Sequence, residues 1–151
     1  MNALPLAGYI VQYCIDRKTP ISNLQLQKIL YFVQLQSLRE THFSSALIED
    51  PKFEAWMFGP VIREVYFMYH LSGGMPIYMQ PPQAVIEPKE NIPEYVQQVV
   101  NCAVNRKPWD LVEISHRPNG AWAKVYNEDH FNRIDDLAIV EDAKTLTESL
   151  I

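Results

Sequence analysis

The sequence predicts a mainly α-helical fold, a single compact domain of about six helices joined by short extended segments. Three observations lead to this prediction. Apolar residues recur at helical spacing in several stretches. Glycines and prolines separate those stretches. The 151 residues suit one domain, spanning 1–151, that is large enough to bury a hydrophobic core.

The first two helices have clear boundaries in the sequence. Residues 3–17 carry an apolar stripe, begin with a proline in the first turn, where proline is tolerated, and stop before Thr19-Pro20. In the second helix, Ser22 is a suitable N-cap and Gln25 completes a capping box. Apolar residues line more than one face of this helix up to about residue 39, so we expect it to lie at the centre of the fold.

A Gly-Pro corner marks the start of a third predicted helix. Gly59 is an acceptable cap and Pro60 suits the first helical position, because it has no N–H to lose. Apolar residues then recur at helical spacing to about Leu71, and Ser72-Gly73-Gly74 is a strong stop signal. The segment before the corner, 53–58, is expected to be extended.

The second half of the chain alternates between helices and breaks. Residues 75–93 contain five prolines, which predicts an extended connection. Apolar spacing indicates helices over 94–105 and 107–116, a short helical turn over 121–126, and a last helix over about 141–150.

Composition excludes several classes of function. The formal net charge of -5 argues against nucleic-acid binding, which needs a basic surface, and suits a protein that meets a basic partner. No signal peptide and no run of about 20 apolar residues is visible, so no membrane association is expected. We therefore predict a cytoplasmic protein in which Cys14 and Cys102 are reduced, small, buried residues. No metal-ligand spacing or phosphate loop occurs, and no cofactor is expected.

Some polar residues have both a structural and a functional interpretation. His116, at the end of a predicted helix, either caps that helix or acts as a general base with Glu113 or Glu64. Lys28, on the central helix, is expected to extend to solvent or to pair with an acid such as Glu54 or Glu64. No nucleophile is obviously paired with His116, so the structural interpretation is favoured.

Carboxylates and tryptophans are interpreted in the same way. The acidic pairs Asp135-Asp136 and Glu141-Asp142 are expected to be solvated. Trp56, Trp109 and Trp122 are expected to anchor the core, with an interface hot spot as the alternative for each.

Two N-terminal motifs and a later pair together resemble the Panacea domain, a phage- and mobile-element-associated family that includes SocA-like and GepA-like antitoxins. The first is Ser22-Asn23-Leu24-Gln25-Leu26-Gln27-Lys28-Ile29-Leu30-Tyr31-Phe32, and the second is Phe53-Glu54-Ala55-Trp56-Met57-Phe58-Gly59-Pro60-Val61, leading to Tyr66. The later pair is Ser115-His116 with Trp122. The chain departs from the family pattern at Arg117, where an acidic residue is common, and at Ala121, where a proline is common.

The resemblance implies an antitoxin that neutralises a cognate protein toxin by direct binding, in some members by handing it to a bacterial AAA+ protease. The residues it marks as motif or partner-binding positions are Gln27, Lys28, Tyr31, Trp56, Gly59, Pro60, Tyr66, His116 and Trp122. Three alternatives stay open: a small enzyme centred on His116, a DNA-binding regulator, which the acidic charge opposes, and a solitary phage-associated regulator.

Overall fold

The computed structural model describes residues 1–146 and is mainly helical, as the sequence predicts. Within these residues there are seven α-helices, two single 3-10 turns and three short strands. In chain order they are α1 (Ala3–Asp16), α2 (Asn23–Glu40), β1 (Glu54–Trp56), β2 (Gly59–Val61), α3 (Arg63–Met68), the 3-10 turns His70–Ser72 and Lys89–Asn91, α4 (Glu94–Val104), α5 (Pro108–Ser115), α6 (Ala121–Val125), β3 (Asn132–Arg133) and α7 (Asp136–Thr145).

Helix α2 is central, as predicted, and packs against α1, α3, α4, α5 and α7, as well as against β2. The predicted capping box is present: Ser22 Oγ accepts from the backbone N–H of Gln25 at 3.2 Å, and Gln25 Oε1 accepts from that of Ser22 at 2.9 Å. Since α2 is surrounded, its polar residues are buried along with its apolar ones. Each buried polar group must therefore find a partner inside the protein.

Residues 75–93 form the predicted extended connection, apart from one 3-10 turn, and run across α1. Backbone hydrogen bonds fix this segment, from Ile77 N–H to Ile21 C=O at 2.8 Å and from Glu87 N–H to Pro5 C=O at 3.0 Å. At the crossing, a Cβ on Gly8 would lie 2.2 Å from the carbonyl oxygen of Val85. Only glycine allows so close an approach.

The Gly-Pro corner is a β-hairpin and not a helix start, so the prediction for Pro60 was wrong. Strands β1 and β2 are antiparallel, with Ala55 opposite Pro60 and Trp56 opposite Gly59, and β3 pairs with the other edge of β1. Pro60 is tolerated because its missing N–H faces away from β1, where no ladder hydrogen bond is lost. Helix α3 begins only at Arg63.

The last helix begins earlier than predicted. Asp135 caps α7 by accepting from the N–H of Leu137 at 3.0 Å, so the helix starts at Asp136 and not near residue 141. The end predicted near residue 150 lies outside the described residues. The expectation that Glu141-Asp142 is solvated was wrong for Asp142, which is only 4% exposed.

Both cysteines are free, and Cys14 is buried, where burial raises the pKa of its thiol to about 12. Cys102 is half-buried, contrary to the prediction that both are interior. None of the helices in the described part of the chain has the length and apolar character needed to span a membrane.

Candidate functional site

Two polar residues of α2 bind the outer edge of the hairpin. Lys28 Nζ donates to the Pro60 carbonyl at 2.9 Å, and Gln27 Oε1 accepts from the Ile62 N–H at 2.9 Å. In a strand, the C=O of one residue and the N–H of the second residue after it point the same way. The side chains of Gln27 and Lys28 therefore replace a neighbouring strand, and β2 has no free edge here. Gln27 is held in turn by Asn23, whose Oδ1 accepts from its Nε2 at 3.0 Å.

Gly59 lies where the hairpin meets α2 and α5. Its φ of 113° is one that side-chain-bearing residues rarely adopt. A Cβ built there would lie 2.6 Å from Ser115 Oγ and 2.7 Å from Lys28 Cε. Both the backbone conformation and the available space therefore require glycine at this position.

Lys28 is completely buried, and no carboxylate among the described residues lies within ion-pair distance of it. The expected pairing with Glu54 or Glu64 was wrong. Glu54 instead binds Arg63 at 2.8 Å and accepts from Trp56 Nε1 at 3.0 Å. Without a compensating charge, burial lowers the pKa of Lys28 from its ordinary 10.5 to about 7.

We expect Lys28→Met to remove a pH-dependent part of the stability. Between pH 7 and pH 9 the unfolded chain keeps the Lys28 proton while the folded protein has released it, so the free energy of unfolding rises with pH. This contribution amounts to about 2–3 kcal/mol over that interval. Urea melts at several pH values measure it. The exposed Lys124→Met is the control, and parallel curves for Lys28→Met and wild type would contradict the buried-amine assignment.

The imidazole of His116 stacks on the indole of Trp122, with ring centroids 3.6 Å apart and planes 9° from parallel. Burial, and then the nearby Lys28, lower the pKa of His116. Its Nε2 is buried and has no hydrogen-bond partner among the described residues, and no carboxylate there lies within ion-pair distance of the ring. The pairing with Glu113 or Glu64 that the enzyme hypothesis requires is therefore not formed in this structure.

Trp122 connects the C-terminal half of the chain to the hairpin. Its Nε1 donates to the Trp56 carbonyl at 2.6 Å, and its other face stacks on Tyr126 at 4.5 Å. Trp56 and Trp122 are both half-buried, whereas Trp109 is 55% exposed, so its expected role as a core anchor was wrong. Tyr66 packs against Trp56 at 5.0 Å, and its carbonyl accepts from Asn23 Nδ2 at 2.9 Å.

Tyr31 joins α2 to α7. Its hydroxyl donates to Asp142 Oδ2, and Arg117 Nη2 donates to Asp142 Oδ1 at 2.8 Å. Burial, and then the Asp142 carboxylate, raise the pKa of Tyr31 well above its usual range. The same Arg117 head group also donates to Thr145 Oγ1 at 2.6 Å. Arg117, where the chain departs from the family pattern, thus fixes the last described helix against the centre.

The structure brings eight of the nine predicted motif residues to one place, around the hairpin and the α5–α6 turn, and it places Tyr31 further along α2. Most of them lie in the interior, where they bind backbone groups or stack on each other. Sequence reasoning gave no site role to Asp142 or Phe131, and it named Ser115 only as part of the later motif pair, although all three contact these residues. The sequence did contain an indication that Asp142 is buried, because it falls on the same helical face as Ile139, Ala143 and Leu146.

Comparisons with known proteins agree with one another. The family model described as "Antitoxin SocA-like, Panacea domain" matches residues 26–123, which include all nine motif residues. A curated relative, Antitoxin SocA of Caulobacter vibrioides (strain NA1000 / CB15N), is 28% identical over 142 residues, covering 84% of this chain and 71% of the relative. No solved structure matches the chain.

Proposed function

Because this chain belongs to the Panacea-domain family of SocA-like antitoxins, we propose that it is an antitoxin that neutralises a cognate protein toxin by direct binding. The observation that carries the proposal is the family match over residues 26–123, together with a relative that is named as an antitoxin.

The geometry supports a binding role in preference to an enzymatic one. The motif residues of α2 hold a hairpin in place, and the imidazole of His116 serves as a stacking partner for Trp122. A rigid scaffold of this kind positions surface loops and rings for a partner. The proposal includes a second step, in which the chain delivers the bound toxin to a bacterial AAA+ protease.

Co-expression with the products of the two flanking genes tests the function. We expect one product to arrest growth alone, to be harmless with this chain, and to co-purify with it stoichiometrically. A pulse-chase measurement of the toxin's half-life then separates the two mechanisms. A long half-life indicates occlusion, and a half-life that shortens when this chain is present indicates delivery to a protease. If neither product is toxic and neither binds, the antitoxin proposal is wrong.

His116→Phe separates the proposal from the enzyme hypothesis. Phenylalanine keeps a flat ring against Trp122 but has no titratable nitrogen. If the chain acts by binding, the His116→Phe variant should neutralise the toxin as well as wild type does. A growth assay over a range of toxin induction levels measures this. Loss of protection by a variant that melts at the wild-type temperature would instead favour chemistry at His116.

A further inference from the structure

A continuous row of aromatic rings runs over the hairpin and α3. Phe131 stacks on Trp56 at 4.6 Å, Trp56 packs against Tyr66 at 5.0 Å, and Tyr66 packs edge-on against Phe67 at 5.5 Å. The two inner rings, Trp56 and Tyr66, are half-buried, whereas Phe131 is 58% and Phe67 53% exposed. The family motif thus supplies the base of the row, and residues outside the motif supply its exposed ends.

A second group of exposed side chains lies at the turn of the hairpin and on α5. Met57 and Phe58 form that turn and are exposed, and Phe58 packs edge-on against the exposed Trp109 at 5.7 Å. We call the exposed side chains Met57, Phe58, Phe67, Trp109 and Phe131 the aromatic surface. Aromatic residues and methionine are the types enriched at the centres of protein–protein interfaces.

Arg63 holds the Phe131 end of the aromatic row in place. Its guanidinium lies over the rings of Trp56 at 5.6 Å and Phe131 at 5.3 Å, and Glu54 binds it through two hydrogen bonds, at 3.1 and 2.8 Å. Rings that are already ordered lose little conformational entropy when a partner binds. The Phe131 end of the aromatic surface is therefore preorganised for docking, unlike single exposed apolar side chains elsewhere.

Most of the exposed charged residues on the segments that carry the aromatic surface are acidic. These segments are residues 56–68, 107–116 and 127–133. Their exposed charged side chains are five carboxylates, Glu64, Asp110, Glu113, Glu128 and Asp129, and two cations, Lys107 and Arg133. Arg63 is neutralised by Glu54. Within the described residues, Glu64, Glu128 and Asp129 have no ion-pair partner. An apolar centre with an acidic rim is complementary to an apolar patch with a basic rim.

We propose that the aromatic surface is where the toxin docks, and that the toxin presents an apolar patch bordered by lysines or arginines. This inference rests on the proposed function and identifies the face that performs it. A second copy of this chain is a poor occupant, because a symmetric pairing would bring two acidic rims together.

The test uses the flanking-gene product that the wild-type chain neutralises. Phe67→Ser with Phe131→Ser removes both exposed ends of the row and leaves Trp56 and Tyr66 in place. We expect the Kd for the toxin to rise about 100-fold or more, since truncating aromatic anchors at an interface centre has large effects. Growth protection should be lost, while the melting temperature changes little.

Tyr78→Ser with Val85→Ser is the matched control, because it removes equally exposed apolar side chains from the segment that crosses α1. This control should bind the toxin as wild type does. If the Phe67/Phe131 variant also binds within threefold of wild type, the proposed surface is wrong and the antitoxin function stands. If the wild-type chain binds neither flanking product, both proposals fail. If the variant loses only self-association, measured by sedimentation, the surface is a homodimer interface and the inference is overturned.

The charge of the rim is tested separately. Glu64→Lys with Asp129→Lys should lower the association rate with the toxin about tenfold at low salt, and the difference should shrink as NaCl rises from about 50 to about 300 mM. An association rate that does not respond to either change would contradict a basic toxin face.

Discussion

Gly59→Val is expected to cost at least about 4 kcal/mol, a large fraction of the roughly 5–15 kcal/mol by which a folded domain is stable. Two effects combine. The φ of 113° is unfavourable for any side chain, and the new Cβ would meet Ser115 Oγ at 2.6 Å and Lys28 Cε at 2.7 Å. Moving Lys28 aside would also remove its hydrogen bond to Pro60. Thermal and urea melts followed by circular dichroism measure the loss.

Two other glycines separate these effects. Gly73 has a positive φ of 56° but nothing within 4 Å of a built Cβ, so Gly73→Val should show conformational strain alone, about 1–2 kcal/mol. Gly74 also has open space around it, and Gly74→Val should change stability by less than about 0.5 kcal/mol. A Gly59→Val protein as stable as the Gly74→Val protein would show that the hairpin is not held as described.

Asp142→Ala is the second substitution with a large expected effect, a loss of about 3 kcal/mol. It leaves the buried hydroxyl of Tyr31 without its acceptor and Arg117 without its charge partner, on a helix that packs directly on α2. The free energy of unfolding from urea melts measures this effect. We expect α7 to become less protected in hydrogen exchange before the rest of the fold does.

The adjacent Glu141→Ala is the control, since it removes a carboxylate from the same helix but from an exposed position. Within residues 1–146 its one ion pair is with Lys144 at 3.7 Å, so we expect a change below about 0.5 kcal/mol. Equal effects of the two substitutions would mean that the Tyr31–Asp142–Arg117 contact contributes nothing to stability. Tyr31→Phe, alone and combined with Asp142→Ala, gives the coupling energy between the two residues.

The Lys28 and Gly59 contacts explain why the motif in α2 and the motif at the hairpin occur together. Lys28 and Gln27 complete the hydrogen bonds of β2, and Gly59 gives the Lys28 side chain the space to do so. A substitution in either motif therefore disturbs the other. The aromatic row depends on the same contacts, because Trp56 lies on β1 directly opposite Gly59.

Local sequence patterns determined most of the helices and the cap of α2. The capping box at Ser22, the α4 and α5 boundaries, the extended proline-rich connection and the stop after residue 72 all follow from signals within a few residues of each element. The central place of α2 also followed from its composition. Such features depend on backbone geometry and on apolar spacing along the chain.

Only the tertiary structure decided which role each polar residue has. Pro60 is a good first residue for an isolated helix, but a strand there can pair with β1 and be completed by Gln27 and Lys28, which lie more than thirty positions earlier. Asp142 resembles its solvated neighbour Glu141 until the fold places Tyr31 and Arg117 around it. The energy of a buried polar group depends on partners distant in sequence, and spacing along the chain carries no information about them.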